Sequence, residues 1–275
     1  MFTYERRYRG PVRAVIFDWA GTIVDWGSTA PALAFVETFR RHGVEISTVE
    51  ARGPMGSAKR DHIVQLTEMA GVRARWRQAH GRDPGVSDVD ALYRDFIPAQ
   101  LAVLERHSAL IPGTLELAAE LRRRRIRIGT TTGYVREMTE VNLREAARQG
   151  FEPDYTACAS DVPHGRPAPD MALLNVIHLG VSPMEACVKV DDTLVGIDEG
   201  LNAGMWTVGV SLSGNECGLS RDELAGLAPA DLARLRAGAE RRFRSAGAHY
   251  VVDSVADLLP CLDDVGSRLA RGERP

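Results

Sequence analysis

The sequence predicts an α/β fold: a parallel sheet flanked by helices, interrupted after its first strand by a helical insert. Three observations predict it. An apolar run over 12–17 and further β-type runs at 126–131, 186–190, 205–210 and 250–252 are separated by helix-like segments, the alternation that builds a parallel sheet. Glycines stand where those helical segments stop. Between Trp26 and about His107 the pattern changes to amphipathic segments with no strand among them.

The first run, Val12-Arg13-Ala14-Val15-Ile16-Phe17, delivers Asp18 to its end and then breaks at Gly21. Strands this apolar are buried on both faces and belong to parallel sheets, where ligands gather beyond the carboxyl ends. Asp18 is therefore a candidate nucleophile or metal ligand. Ala20, two positions later, can neither donate nor accept a proton. The segments 30–41, 57–69 and 88–106 then read as amphipathic helices. An insert leaving the sheet at this point lies over the site as a lid. The expected division is a core of 1–26 and 107–275 with a cap of 27–106. Residues 113–125, rich in Leu, Ala and Glu, form a helix leading into the second strand; helices 168–179 and 194–203 end at Gly180 and Gly204. The stretch 221–245 is helical and peripheral.

Composition narrows the function. The 275 residues carry a net charge of -3 with 44% hydrophobic and 26% charged residues, so the chain buries a full core and has no general attraction for nucleic acid. The Arg122 to Arg125 and Arg241-Arg242 runs are solvated helix faces. No stretch approaches the roughly eighteen apolar residues of a membrane span. The start, MFTYERRYRG, lacks a signal peptide's apolar core, and Cys158, Cys187, Cys217 and Cys261 show no CxxC spacing, which is the pattern of reduced thiols in a cytoplasm.

Two further strand ends carry chemistry. Thr130-Thr131-Thr132-Gly133 brings hydroxyls and a glycine N–H to the same end of the sheet as Asp18, groups that suit a phosphoryl oxygen. Val188-Lys189-Val190 ends in Asp191-Asp192-Thr193, and one or both carboxylates meet Asp18 around Mg²⁺, a hard cation that takes oxygen ligands. In the insert, Gly53-Pro54 and Gly56 make a turn, and Lys59 falls on the first turn of the next helix. A helix N-terminus disfavours a cation, and a Lys held there above a metal site has the lowered pKa that an attacking amine needs. His62 shares its face.

The order Asp, Thr, Asp-Asp on three strand ends resembles the haloacid dehalogenase superfamily, whose core is Rossmann-like with an inserted helical cap. Five strings sharpen the likeness: DWAGT at Asp18, PMG-x-x-K-x-DH at 54–62, TTGY-x-REM at 131–138, DVP-x-GRP at 161–167 and NAGMWTVGV at 202–210. Together they resemble the phosphonoacetaldehyde hydrolase, or phosphonatase, family. The resemblance implies that Asp18 attacks phosphorus, Thr132 and Gly133 hold phosphoryl oxygens, Arg166 balances charge, and Asp18, Asp192 and the Ala20 carbonyl bind Mg²⁺. It also implies that Lys59 forms a Schiff base with phosphonoacetaldehyde, that Met55, Gly56, His62 and Tyr134 line the substrate pocket, and that the chain is a homodimer joined through the cap; the apolar Leu33, Val36 and Phe39 of 30–41 either serve such a contact or pack inside the insert.

The two unusual features explain each other. A phosphatase of this superfamily carries a second Asp two residues after the nucleophile, to protonate a departing alcohol oxygen. Cleavage of a phosphorus–carbon bond through an imine expels an enamine, and Ala20 is then sufficient. Two departures stand out: Ser28 occupies a position where some relatives have Cys, and Gly196 a position where many superfamily members have a second metal-site acid, for which Asp191 is the candidate substitute. The competing readings are a phosphate-monoester phosphatase on the same fold and a non-catalytic binding protein.

Overall fold

The computed structural model describes residues 7–275. In chain order the elements are β1 (Ala14–Phe17), α1 (Thr29–Arg41), α2 (Thr48–Arg52), α3 (Lys59–Glu68), α4 (Ala70–His80), α5 (Val86–Leu104), α6 (Thr114–Arg123), β2 (Arg127–Thr132), α7 (Arg136–Arg148), β3 (Tyr155–Cys158), α8 (Asp170–Leu179), β4 (Cys187–Asp191), α9 (Leu194–Asn202), β5 (Trp206–Val210), α10 (Arg221–Ala225), α11 (Pro229–Ser245), β6 (Tyr250–Val252) and α12 (Leu258–Ala270).

Among the described residues six strands form one parallel sheet, in the order β3-β2-β1-β4-β5-β6. The chain winds outward from β1 on one side and then crosses to β4 on the other. That reversal opens a crevice between the carboxyl ends of β1 and β4, the switch point where ligands bind in open α/β sheets. Phe17 pairs with both Thr130 and Val190, so the residue after it, Asp18, emerges level with Thr131 and Asp191. Its own N–H is held by the Val190 carbonyl at 2.9 Å. All four residues of β1 are buried, as an apolar run between two helical layers requires.

The predicted strands are present, their ends shifted by one or two residues. The edge strand β3 was not predicted: Tyr155-Thr156-Ala157-Cys158 is too short and too mixed in polarity to show a period. No strand lies between β1 and β2 among the described residues; α1 to α5 occupy that stretch. Of these, α2 and α4 escaped prediction. Helix α2 is a single turn held by a capping box at Ser47 and Glu50, and α4 buries only Val72 and Trp76 on an Arg-rich surface. The 221–245 stretch divides into α10 and α11, which bury Ala239 and Phe243 alone. Gly180 takes positive φ directly after α8, and Gly204 does so one residue beyond the Ala203 cap of α9, as helix ends favour.

The insert has its own apolar cluster, including Phe35, Phe39, Ile63, Leu66, Trp76, Leu92 and Phe96. That cluster continues through Tyr134 and Met138, just beyond β2, so the helical layer is seated on the strand ends rather than hanging from a linker. No helix is long and apolar enough to cross a membrane among the described residues.

Candidate active site

One cavity lies at the switch point, lined by Asp18, Ala20, Ser28, Pro31, Met55, Gly56, Lys59, Thr132, Gly133, Tyr134, Arg166 and Thr193. Residues from three strand ends, from the insert and from the 161–167 loop thus converge, though as far apart in the chain as Asp18 and Thr193. The close approach has a backbone cause. A Cβ on Gly133 would lie 2.6 Å from the Ser57 carbonyl and 2.9 Å from that of Gly56, so the insert's turn rests against the end of β2 through glycine. Gly56 has a φ of +92°, and a Cβ there would meet Thr193 Oγ1 at 2.4 Å. Arg52 of α2 adds a tie: its Nη1 donates to the Gly27 carbonyl at 2.7 Å and to Asn215 Oδ1 at 3.3 Å.

Asp18 is buried, and Arg166 Nη2 contacts its Oδ1 at 2.8 Å. Burial, followed by the neighbouring Asp191 charge, pushes the Asp18 carboxyl up to about 6 against the pull of Arg166 and Lys189. Asp192 receives the Asn215 N–H at 2.7 Å and the Thr22 hydroxyl at 3.3 Å. Its pKa too is held well above the ordinary range, by burial and then by Asp18 and Asp191. Ligand oxygens of Asp18, Asp191 and Asp192 all lie within 4.8 Å of one another. Three buried carboxylates so crowded, offering oxygen alone, fit a hard divalent cation: it would relieve the repulsion that raises two of them.

Lys59, 3% exposed, is the first residue of α3. Its amine sits 4.9 Å from the centre of the Tyr134 ring and 5.6 Å from that of Phe35. Its pKa falls to about 7, chiefly from burial, with Arg166 adding to the fall and Asp18 and Asp192 opposing it. The lowered pKa expected from a helix start is present, yet its main cause is removal from water.

His62 is the one predicted pocket residue that the cavity does not include. Its ring stacks on Phe35 at 3.9 Å, its Nε2 is engaged by the Ala51 carbonyl at 2.9 Å, and burial holds its pKa well below the ordinary value. A neutral imidazole therefore backs the wall behind Lys59. Met55, Gly56 and Tyr134 do line the cavity, as does Ser28. Thr132 lines it as well, its Oγ1 accepting the Tyr134 N–H at 3.2 Å.

Beneath the cavity lies a network that sequence reasoning missed. Lys189, fully buried on β4, places its amine 2.8 Å from Thr131 Oγ1, 2.7 Å from Asp191 and 3.2 Å from Glu199. Glu199 of α9 accepts from Arg166 Nε at 2.8 Å, and Arg166 Nη2 reaches Thr131 Oγ1 at 2.7 Å. An unpaired charge buried this deeply costs several kcal/mol, so each of these groups is held by its opposites. Asp191, Glu199 and Asp18 raise the Arg166 pKa above its ordinary value despite burial, which fixes a permanent cation beside the Asp18 carboxylate. The Lys within Val188-Lys189-Val190 was a legible signal, since a cation in an apolar strand needs a buried partner. Glu199, inside a helix, gave none.

Fold and site together define a hydrolase that works at the carboxyl end of a parallel sheet, and residues 12–204 match the haloacid dehalogenase-like hydrolases. The chain is 51% identical to the phosphonoacetaldehyde hydrolase of Paraburkholderia phytofirmans over 264 residues, 96% of this chain and 99% of that one. It is 49% identical to that of Nitratidesulfovibrio vulgaris, over 100% of this chain and 98% of the relative. The crystal structure of a phosphonoacetaldehyde hydrolase-like protein from Oleispira antarctica superimposes with a TM-score of 0.98 at 45% identity, covering both chains completely. The chain belongs to the phosphonoacetaldehyde hydrolase family of the haloacid dehalogenase-like hydrolases.

Proposed function

We propose that this chain hydrolyses phosphonoacetaldehyde to acetaldehyde and phosphate through an imine on Lys59 and an aspartyl phosphate on Asp18. One observation carries the reading: a buried amine with a pKa lowered to about 7 shares a cavity with a buried carboxylate, and the residue two positions after that carboxylate is Ala20.

The neutral Lys59 amine adds to the aldehyde carbon, and loss of water gives the imine. Asp18 attacks phosphorus; the carbon–phosphorus bond breaks, and its electron pair passes into the protonated imine, leaving an enamine on Lys59. Protonation of the enamine carbon and hydrolysis release acetaldehyde and restore the amine. Water then cleaves the aspartyl phosphate. No alcohol oxygen departs, so an acid at position 20 has no task. Arg166 and the Thr132 and Gly133 groups hold the phosphoryl oxygens, with Arg166 kept in place by Glu199 and Thr131. Mg²⁺, held by Asp18, Asp192 and the Ala20 carbonyl, would supply charge neutralisation at the phosphonate. Met55 and Tyr134 bound the carbon end of the substrate.

The test is release of acetaldehyde and phosphate from phosphonoacetaldehyde with Mg²⁺, run beside p-nitrophenyl phosphate. Rapid turnover of the monoester with none of the phosphonate would replace this reading with that of a phosphatase.

The amine also sets a pH dependence. A Lys whose folded pKa lies near 7 is neutral above that value and charged below it. The rate of imine capture, followed by borohydride reduction and mass spectrometry, is expected to fall about tenfold per pH unit below 7 and to level off above it. A flat profile between pH 5.5 and 8.5 would refute titration of this amine near 7, and no capture at any pH would remove the amine from the mechanism.

Residues 27–106 form the cap of this reading, and a homodimer through α1 and α5 is its assembly. Leu33, 49% exposed, and Val36 on α1 face a groove completed by Pro98, Ala99, Ala102 and Val103 of α5. Phe39, the third residue considered for such a contact, is fully buried inside the insert. Leu33→Asp is expected to convert the chain to a monomer by light scattering at micromolar concentration; an unchanged dimer mass, or a monomeric parent, would refute this assembly. The cytoplasmic assignment rests on the four free cysteines.

A further inference from the structure

Asn215, in the loop that follows β5, touches both halves of the site. Its backbone N–H donates to Asp192 Oδ2 at 2.7 Å, while its side-chain Nδ2 donates to the Arg52 carbonyl at 3.4 Å and its Oδ1 accepts from Arg52 Nη1 at 3.3 Å. The same Arg52 carbonyl accepts the Met55 N–H at 3.1 Å, inside the turn that leads to Lys59. One core residue is thus bonded to the insert on one side and to Asp192 on the other. On the core side there is little slack. A Cβ on Gly214 would lie 2.2 Å from the Asp192 Cβ, and one on Gly21 2.1 Å from its Oδ2, so bare backbone packs against the Asp192 side chain at two points. The loop is also held from behind, by Arg242 Nη2 donating to the Glu216 carbonyl at 2.8 Å. On the insert side the hold is lighter. Arg52 is half-buried, and the oxygens that receive it, those of Gly27, Ser28 and Asn215, are all uncharged. A guanidinium on neutral oxygens is held less tightly than one paired with a carboxylate.

We propose that Asn215 is a positioning residue that couples the cation half of the site to the amine half: the 211–218 loop, fixed when Asp192 carries its cation, holds through Asn215 the turn that presents Lys59. This rests on the reading that Mg²⁺ joins Asp18 and Asp192 and that Lys59 forms the imine. The coupling is reciprocal, since a turn already seated holds Asn215, and with it the Asp192 carboxylate, in the arrangement that the cation needs. Aldehyde capture at Lys59 is then favoured by the cation although the amine is not among its ligands.

Two measurements on the full chain test this, in the wild type and in Asn215→Ala, which keeps the backbone N–H on Asp192 and removes the side-chain tie to the insert. The first follows amide hydrogen exchange with and without Mg²⁺. Exchange over 53–62 is expected to slow roughly fivefold on adding Mg²⁺ to the wild type and to change by less than about twofold in the variant, while 211–218 gains protection in both. The second traps acetaldehyde on Lys59 with cyanoborohydride at pH 8.5, where an amine whose pKa is about 7 is already neutral. Acetaldehyde has no phosphonate to bridge the two halves, so any effect of the metal on its capture passes through the protein. Mg²⁺ is expected to raise capture about fivefold in the wild type and to leave it unchanged in Asn215→Ala. Asn215→Ser, also too short to reach Arg52, gives the same result should the alanine variant not fold. Wild-type exchange over 53–62 that ignores Mg²⁺ would overturn the coupling, as would a full Mg²⁺ effect in a folded Asn215 variant. Exchange that slows as expected in a wild type that traps no aldehyde on Lys59 would instead count against the imine and leave the tie between Asp192 and the turn standing.

Discussion

Lys59→Ala is expected to lose more than about 10⁴-fold in kcat/KM on phosphonoacetaldehyde and to yield no borohydride-trapped adduct, because the covalent route has no substitute amine. The only other lysine in the chain, Lys189, is fully buried and bonded to Asp191 and Thr131. Lys59→Arg separates charge from chemistry. It keeps a cation over the Tyr134 ring, but a guanidinium stays protonated and forms no imine. Equal loss in both variants would place the effect in nucleophilicity; retained turnover in either would sink the imine mechanism. The fold should survive, since removing an amine held well below its usual pKa by burial removes a group that gains little from its surroundings.

Asp18→Asn is expected to fall by a comparable factor, at least about 10⁴-fold in kcat, while leaving the first half of the reaction intact. Asparagine keeps the shape at the end of β1 and cannot form an acyl phosphate. Phosphonoacetaldehyde and borohydride should therefore still label Lys59 in this variant, with no phosphate released. That split between trapping and turnover is the signature of two covalent steps on two residues. If Asp18→Asn stopped labelling of Lys59 in a folded protein, Asp18 would be acting on the amine rather than on phosphorus.

Strand β1 was legible because residues buried on both faces must be apolar without interruption, whereas β2, β4 and β5 were legible as short β-type runs mixing Val and Ile with Thr, Gly and Lys189 between helical segments. So were the helix ends at Gly180 and Gly204, where positive φ selects glycine. Asp18 was legible for a related reason, since a polar group at the tip of an apolar strand has nowhere to be except the switch point, whereas the choice of Thr132 among 130–132 and of Asp192 beside Asp191 came from the family resemblance. Strand β3 and helices α2 and α4 were not, since a single turn, a four-residue edge strand and an Arg-rich helix carry too little periodicity. His62 shows the limit of spacing arguments. Three residues after Lys59 does put it on the same helix, yet its ring turns to stack on Phe35 and its Nε2 to the Ala51 carbonyl.

By itself the sequence carried the resemblance on which the proposed chemistry rests: an aspartate at a strand tip, an alanine where a phosphatase of the superfamily has an acid, and a lysine on the helix that follows a glycine turn of the insert. Residue type and local order suffice for that resemblance, because neither depends on contacts between distant parts of the chain. Only the tertiary structure decided the energetics. It buried Lys59 so that desolvation, more than its helix start, brings the amine to about 7. It joined Lys189, Glu199, Thr131 and Arg166 beneath Asp18, and it set the Asp191 carboxylate into the space above Gly196. Burial and distance are properties of the packed chain, and both vary with the positions of groups far apart along it.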